Sequence, residues 1–236
     1  MNFAPFAFLF FDPMYLLFAI PGLLLSLLAS WHTKSTFKKY QKISGSKGYS
    51  GAEAAAEMLR RNGVHDCKIE MTQGFLSDHY DPTCKTLRLS PDVYNGRSLS
   101  SIGVACHEAG HALQHAASYS FLTMRTALVP LVGIGSNVGL WVIMGGFIFQ
   151  AKPVVALGII LFALAFVFSV VTLPVEWDAS ARAKTAMMSA GLLAPREVDG
   201  AGKVLNAAFL TYFAAAVSSL LVLLYYVMRY MNMRDE

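Results

Sequence analysis

His107, Glu108 and His111 form the pattern H-E-x-x-H within His107-Glu108-Ala109-Gly110-His111. On a helix, two histidines four residues apart project from one face, and their imidazole nitrogens can hold one zinc ion at about 2.0 to 2.1 Å each. Glu108, one residue round the helix, can reach a water on that ion. Zinc would lower the pKa of the water and polarise a carbonyl oxygen, while the carboxylate would take the proton and later pass it to a leaving amine. That is peptide hydrolysis. With six His and seven Glu in 236 residues, the pentad arises by chance about once in two hundred such chains, so its context has to carry part of the argument.

A catalytic zinc takes three protein ligands and keeps one position open. A third histidine six residues after the second is excluded, because position 117 is Ala. His115 is one turn beyond His111, but its distance of about 12 Å from His107 along the helix suits packing or support of a ligand better than a share in the ion. The remaining route is a carboxylate from a second helix. The acidic residues after the motif are Glu176, Asp178, Glu197, Asp199, Asp235 and Glu236. Glu176 and Asp178 directly follow an apolar run, where a carboxylate is held on a rigid helix without entering lipid. Glu197 follows Pro195 in a more polar segment, and Asp235 and Glu236 fall in the tail. Glu176 is the expected third ligand.

The motif helix is expected over about Ser98 to Ala117, with Ser98 as N-cap. Before it, Ser50-Gly51-Ala52-Glu53 has capping-box spacing and opens an alanine-rich helix that should end at Asn62-Gly63. Val64 to Met71 and Lys85 to Ser90 have strand character, with Asp81-Pro82 as a turn between them, which predicts a hairpin or small antiparallel sheet. An extended substrate would pair with the strand around Lys85 to Ser90. Candidates for stabilising the oxyanion are His79, Tyr80, Arg182 and Tyr212. Asn206 reads as the cap of a last helix or as a residue lining the cleft.

The chain as a whole is 55% apolar and only 14% charged, against about 25% charged in an ordinary soluble domain. The surplus must face lipid. Four runs are long enough to cross about 30 Å of hydrocarbon: Met14 to Trp31, Thr126 to Phe149, Val154 to Leu173 and Asn206 to Met228. The first is followed by Lys34, Lys38, Lys39, Lys42 and Lys47, the reverse of the charge order of a cleavable signal peptide, so it reads as a retained anchor. Residues 32–125 hold twelve Lys/Arg and residues 175–206 hold four (Arg182, Lys184, Arg196, Lys203), leaving three elsewhere. The positive-inside rule then puts both segments in the cytoplasm, with four spans and both termini outside. The net charge of +4 is thereby a topology signal and not a nucleic-acid surface. Cys67, Cys84 and Cys106 have no metal-binding or redox spacing, and reduced thiols are expected.

H-E-A-G-H, two spans later followed by Glu176-Trp177-Asp178-Ala179-Ser180-Ala181-Arg182-Ala183, resembles the neutral zinc metallopeptidases of bacterial membranes. The upstream runs His79-Tyr80-Asp81-Pro82 and Leu87-Arg88-Leu89-Ser90-Pro91-Asp92-Val93-Tyr94-Asn95-Gly96-Arg97-Ser98 carry the same likeness, which extends from Phe11-Asp12-Pro13 to the last span. The resemblance implies an integral-membrane zinc protease with His107, His111 and Glu176 as ligands and Glu108 as general base. A more distant likeness is to the gluzincins that include the prenyl-protein endopeptidases and heat-shock membrane proteases. Those carry Asp four residues after the ligand Glu, orienting a zinc-bound His. Here that position is Ser180, with Asp178 two residues after the Glu. Either Ser180 bonds a ligand histidine or Asp178 does so from another angle.

The sequence therefore predicts a mainly α membrane protein of four transmembrane helices with a cytosolic α+β zincin-like domain. Residues 1–31 hold the anchor and first span, 32–125 the zincin-like segment, 126–173 a two-span hairpin, 174–205 a cytosolic helix with the third ligand, and 206–236 the last span and tail. The expected function is a multi-pass zinc endopeptidase of the inner membrane, its site facing the cytoplasm, that uses Zn2+ to cut membrane-associated polypeptides. The competing expectation is a zinc-binding membrane scaffold or partner-recruiting protein, with a membrane protein as partner, whose proteolytic activity is latent.

Overall fold

The computed structural model describes residues 12–74 and 77–233, apart from the side chain of Ile134. Arg234, Asp235, Glu236 and Phe11 lie outside the described residues. The elements are α1 (Pro13–Gln41), α2 (Gly51–Arg61), β1 (Lys68–Met71), β2 (His79–Asp81), β3 (Thr86–Leu89), α3 (Pro91–Tyr94), α4 (Leu99–Ala116), α5 (Ser120–Ile148), α6 (Lys152–Ser189) and α7 (Pro195–Met231). The described residues are mainly helical with one small three-stranded sheet.

Local sequence explains the helix ends. Ser50 accepts from the Glu53 backbone N–H at 3.2 Å while the Glu53 carboxylate accepts from Ser50 N–H at 2.7 Å, a complete capping box for α2. Gly63 follows the end of α2 with φ +75°, a conformation glycine adopts without a Cβ penalty. Ser98 Oγ accepts from Ser101 N–H at 3.1 Å and caps α4.

Helix α7 has Pro at its first position and lacks a capping side chain at Ala194. Glu197 substitutes by accepting from Ala194 N–H at 2.7 Å, and it also accepts from Ser46 N–H and Oγ–H at 2.8 and 3.0 Å. Partial burial would raise its carboxyl pKa, but these donors outweigh burial and hold it below the usual 4.5. A carboxylate depressed by folding adds stability above its unfolded pKa and loses it as pH falls through the folded value. Glu197→Gln is therefore expected to destabilise the protein by about 1 kcal/mol at pH 7, and the deficit should shrink as pH falls below about 4.5. Denaturant titrations at pH 7 and below 4.5 measure it.

The described residues form two compact units. The first comprises the described parts of Met1–Leu28, Met124–Thr172 and Tyr212–Glu236. It is apolar and helical. Helices α5 and α6 approach closely at glycines: a Cβ on Gly139 would lie 2.9 Å from Phe162 N, and one on Gly158 would lie 2.6 Å from Ile143 N. Tyr225 of α7, clustered with Ile143 of α5, donates to Asp12 Oδ2 at 2.7 Å.

The second unit is Ala29–Thr123 with Leu173–Thr211. Its core gathers Met58 and Leu59 of α2, Leu87 and Leu89 of β3, Ile102, Cys106 and Ala109 of α4, Ala183 and Met187 of α6, and Ala201 and Leu205 of α7. Ser100 Oγ donates to Phe37 O at 2.7 Å, tying α4 to α1. Burial pushes the Cys106 thiol up to about 12, which leaves it an inert core side chain.

The sheet corrects one expectation. The strand order is β1-β3-β2, with β1 parallel to β3 and β2 antiparallel to it. The connection from β1 to β3 passes through β2, so the two strands read from sequence are not a hairpin. Because β3 is central, both its edges are taken, and a substrate strand cannot pair with Lys85 to Ser90.

Helices α1, α6 and α7 are each long and apolar enough to cross a membrane, and α5 passes the same test as a pair of helices bent by 41° between Gly133 and Gly135. Large side chains such as Leu17, Leu28, Trp141 and Ile160 are exposed along them, as a lipid-facing surface requires. Helices α6 and α7 run unbroken past the polar boundaries read from the sequence. Asn206 is thus eleven residues inside α7 and caps nothing; Pro195 opens that helix.

Candidate metal centre

Helix α4 presents His107 and His111 one turn apart, with ring centroids 4.8 Å from each other. Helix α6 brings Glu176 against them. The ligand atoms of all three residues lie within 4.8 Å of one another. His107 Nε2 is 3.2 Å and His111 Nε2 is 3.7 Å from the same oxygen, Glu176 Oε2. Donor atoms held at tetrahedral positions about 2.0 to 2.1 Å from a zinc ion lie about 3.3 Å apart, so the spacing suits that ion.

Two further side chains engage the ring nitrogens that face away from Glu176. Gln114, fully buried on α4, places its amide nitrogen 2.7 Å from Val175 O and 2.8 Å from Asp178 Oδ2. Both are acceptors, so the NH2 group must point at them. Gln114 Oε1 is then left facing His111 Nδ1 at 3.0 Å, and that nitrogen must carry the proton. Ser180 Oγ sits 3.1 Å from His107 Nδ1 and can accept from it in the same way. A neutral His111 therefore leaves Nε2 free to face Glu176 and a metal, and Ser180 allows the same tautomer of His107.

The electrostatics agree. Glu176 is 1% exposed. Burial alone would raise its pKa, yet the hydrogen bonds and charges of His107 and His111 hold the carboxyl well below the usual carboxylate range. Burial would lower His111, but Glu176 draws it above its ordinary value, with Glu108 and Gln114 adding to the effect. A buried carboxylate held in its charged form beside two imidazoles also suits a divalent cation. Glu108 is half-buried and next to His107 on the chain.

The close approach of the two helices depends on Gly110. A Cβ there would lie 2.6 Å from Ala179 O, between Asp178 and Ser180. The neighbouring carboxylate Asp178 accepts from Arg182 Nε at 2.6 Å, and the Arg182 guanidinium lies over the Tyr119 ring at 5.8 Å.

Both residues read from the sequence as able to orient a ligand histidine make such contacts: Ser180 contacts His107 directly, and Asp178 reaches His111 through Gln114. Gln114 itself was not foreseen. Its position three residues after His111, on the face that carries both histidines, was the available sign. Other candidates sit elsewhere. His79, exposed at the start of β2, has its Nδ1 2.8 Å from Ser77 O. Tyr80 OH is 2.8 Å from His115 Nδ1, and the two line a separate cavity of about 190 Å3 with Cys67 and Lys85. His115 is not among the three clustered ligands. Tyr212 belongs to the other compact unit.

A family described as "Putative neutral zinc metallopeptidase" matches residues 15–231. The chain is 46% identical over 223 residues, 94% of its own length and 99% of the relative's, to a Bacillus subtilis protein named "Putative membrane protease YugP". No solved structure matches it.

Proposed function

The chain belongs to the neutral zinc metallopeptidase family, and from that membership together with the geometry of His107, His111 and Glu176 we propose a membrane-embedded, gluzincin-like endopeptidase. Its three metal ligands are His107 Nε2, His111 Nε2 and the Glu176 carboxylate. The observation that carries the reading is the convergence of both Nε2 atoms on one buried carboxylate oxygen while each Nδ1 is engaged by Ser180 or Gln114.

When bound, zinc supplies Lewis-acid activation of a water and of the scissile carbonyl. Glu108 takes the proton from the attacking water and delivers it to the departing amide nitrogen, so that one carboxylate serves as base and then as acid. Gln114, held by Val175 O and Asp178, keeps the His111 ring in register, and Ser180 does so for His107. Arg182 supports Asp178 rather than substrate.

The substrate is an extended polypeptide that adds to the outer edge of β2, since β3 is already paired on both sides. Helix α4 packs against β2 and β3, which places that edge beside the motif helix. Counting the bent α5 pair as one span gives four. The basic residues of 32–125 and 175–206 then favour a cytoplasmic site in the inner membrane, acting on membrane-associated chains.

Purified protein is expected to cut an unfolded reporter polypeptide, to lose at least 90% of that activity on treatment with a zinc chelator, and to regain it with about one equivalent of Zn2+. Cleavage that persists with zinc removed would overturn the reading.

A further inference from the structure

Away from the metal centre, the second unit holds a cavity of about 380 Å3 between α1 and α7. Its lining includes His32, Lys39 and Tyr40 of α1 with Lys203, Asn206 and Leu210 of α7. Thr33 Oγ lies 2.8 Å from Ala207 O and fastens the two helices beside it. None of these residues enters the hydrolytic machinery.

The lining changes character along the helices at the level where their apolar runs end. On α1 it extends from His32, just after the run that closes at Trp31, to Lys39. On α7 it extends from Leu210, inside the apolar run, back to Lys203 before it. Each stretch covers about 10 Å of helix, comparable with the polar interfacial layer of one leaflet, about 5 to 8 Å. The upper part offers two ammonium groups, the Tyr40 hydroxyl and the Asn206 amide as donors. Asp199 lies 2.8 Å from Lys203 Nζ and offsets part of the charge, and Lys39 Nζ lies 5.5 Å from the Tyr40 ring. The lower part is the apolar surface of Ala207 and Leu210.

The geometry points to a binding site for the phosphate headgroup of an anionic phospholipid, held by Lys39, Lys203, Tyr40 and Asn206 with an acyl chain over Leu210. A free phosphate would share the donors but has no use for the apolar floor, so the lipid is the occupant. The site tethers the junction of α1 and α7 to the anionic leaflet, where each lysine near the surface adds to attraction.

Native mass spectrometry of the full chain released from micelles tests this with phosphatidylglycerol, phosphatidylcholine and inorganic phosphate as probes. The wild type is expected to retain phosphatidylglycerol about tenfold more tightly than phosphatidylcholine. Lys39→Gln with Lys203→Gln should weaken that retention about tenfold, whereas Lys39→Arg with Lys203→Arg should preserve it. Lys34→Gln with Lys38→Gln removes the same charge from exposed positions outside the cavity and should change it less than about twofold. Equal loss in both glutamine pairs would reduce the effect to general surface attraction and overturn the site. Displacement of phosphatidylglycerol by an equal concentration of inorganic phosphate would assign the donors to a soluble anion and overturn the lipid.

Discussion

Glu108→Gln should lower the rate of peptide hydrolysis by about 10²- to 10⁴-fold while zinc content and thermal stability stay at wild-type values. The amide keeps the size of the carboxylate but cannot accept a proton from water, so the lost transition-state stabilisation is about 3 to 5 kcal/mol. The metal centre survives because its contacts run through His107, His111 and Glu176, whose ligand atoms stay within 4.8 Å of one another without any contribution from Glu108. Loss of the neighbouring negative charge, which helps raise His111, should alter zinc affinity only slightly. Parallel zinc analysis and peptide cleavage assays check both halves. A protein that binds zinc as a scaffold would be indifferent to this substitution in every functional assay.

Gly110→Val should damage both the fold and the centre. Glycine inside a helix costs about 0.5 to 1 kcal/mol relative to alanine, so its presence in α4 calls for a packing reason. That reason is Ala179, whose carbonyl oxygen, carbon and Cα would lie 2.6, 3.1 and 3.2 Å from an added Cβ. All three are backbone atoms and cannot step aside as the end of a flexible side chain could. Helix α6 would have to retreat, and it carries Glu176, Asp178 and Ser180 within one turn of the contact. We expect an overpacking cost of about 1 to 3 kcal/mol and a loss of zinc affinity of at least about tenfold. Gly145→Ala is the control, since a Cβ there meets open space; it should leave zinc affinity unchanged and raise stability by at most about 1 kcal/mol. Calorimetric unfolding and zinc competition titrations separate the two variants.

What was legible in the sequence was local. The capping box at Ser50 and Glu53, the left-handed turn at Gly63 and the Ser98 cap are each set by residues within four positions of one another, and the structure forms all three. The HEAGH helix belongs to the same class, because the four-residue spacing alone puts both histidines on one face. Glu176 came within reach because so few acidic residues follow the motif, and the structure brings it to the histidines.

Pairings set by distant segments were not legible. Whether β1 joins β3 directly or lets β2 in between depends on the sheet as a whole, and the three-residue strand His79–Asp81 is too short to announce itself. Gln114 earns its role only once α6 supplies Val175 O and Asp178 as acceptors. Gly110 likewise has no meaning without the backbone of Ala179 against it. The continuation of α6 and α7 beyond their apolar runs was not legible for a related reason. Helical hydrogen bonding continues through a change from apolar to polar side chains, so composition marks where lipid ends but not where a helix does.

The central claim is that one zinc ion is held by two helices through His107, His111 and Glu176. Zinc per chain, measured on purified wild-type protein and on Glu176→Ala, tests it most directly. The account predicts one zinc in the wild type and a small fraction of that in Glu176→Ala, with no hydrolysis by the variant. A Glu176→Ala protein that still carries one zinc and cleaves at the wild-type rate would contradict it.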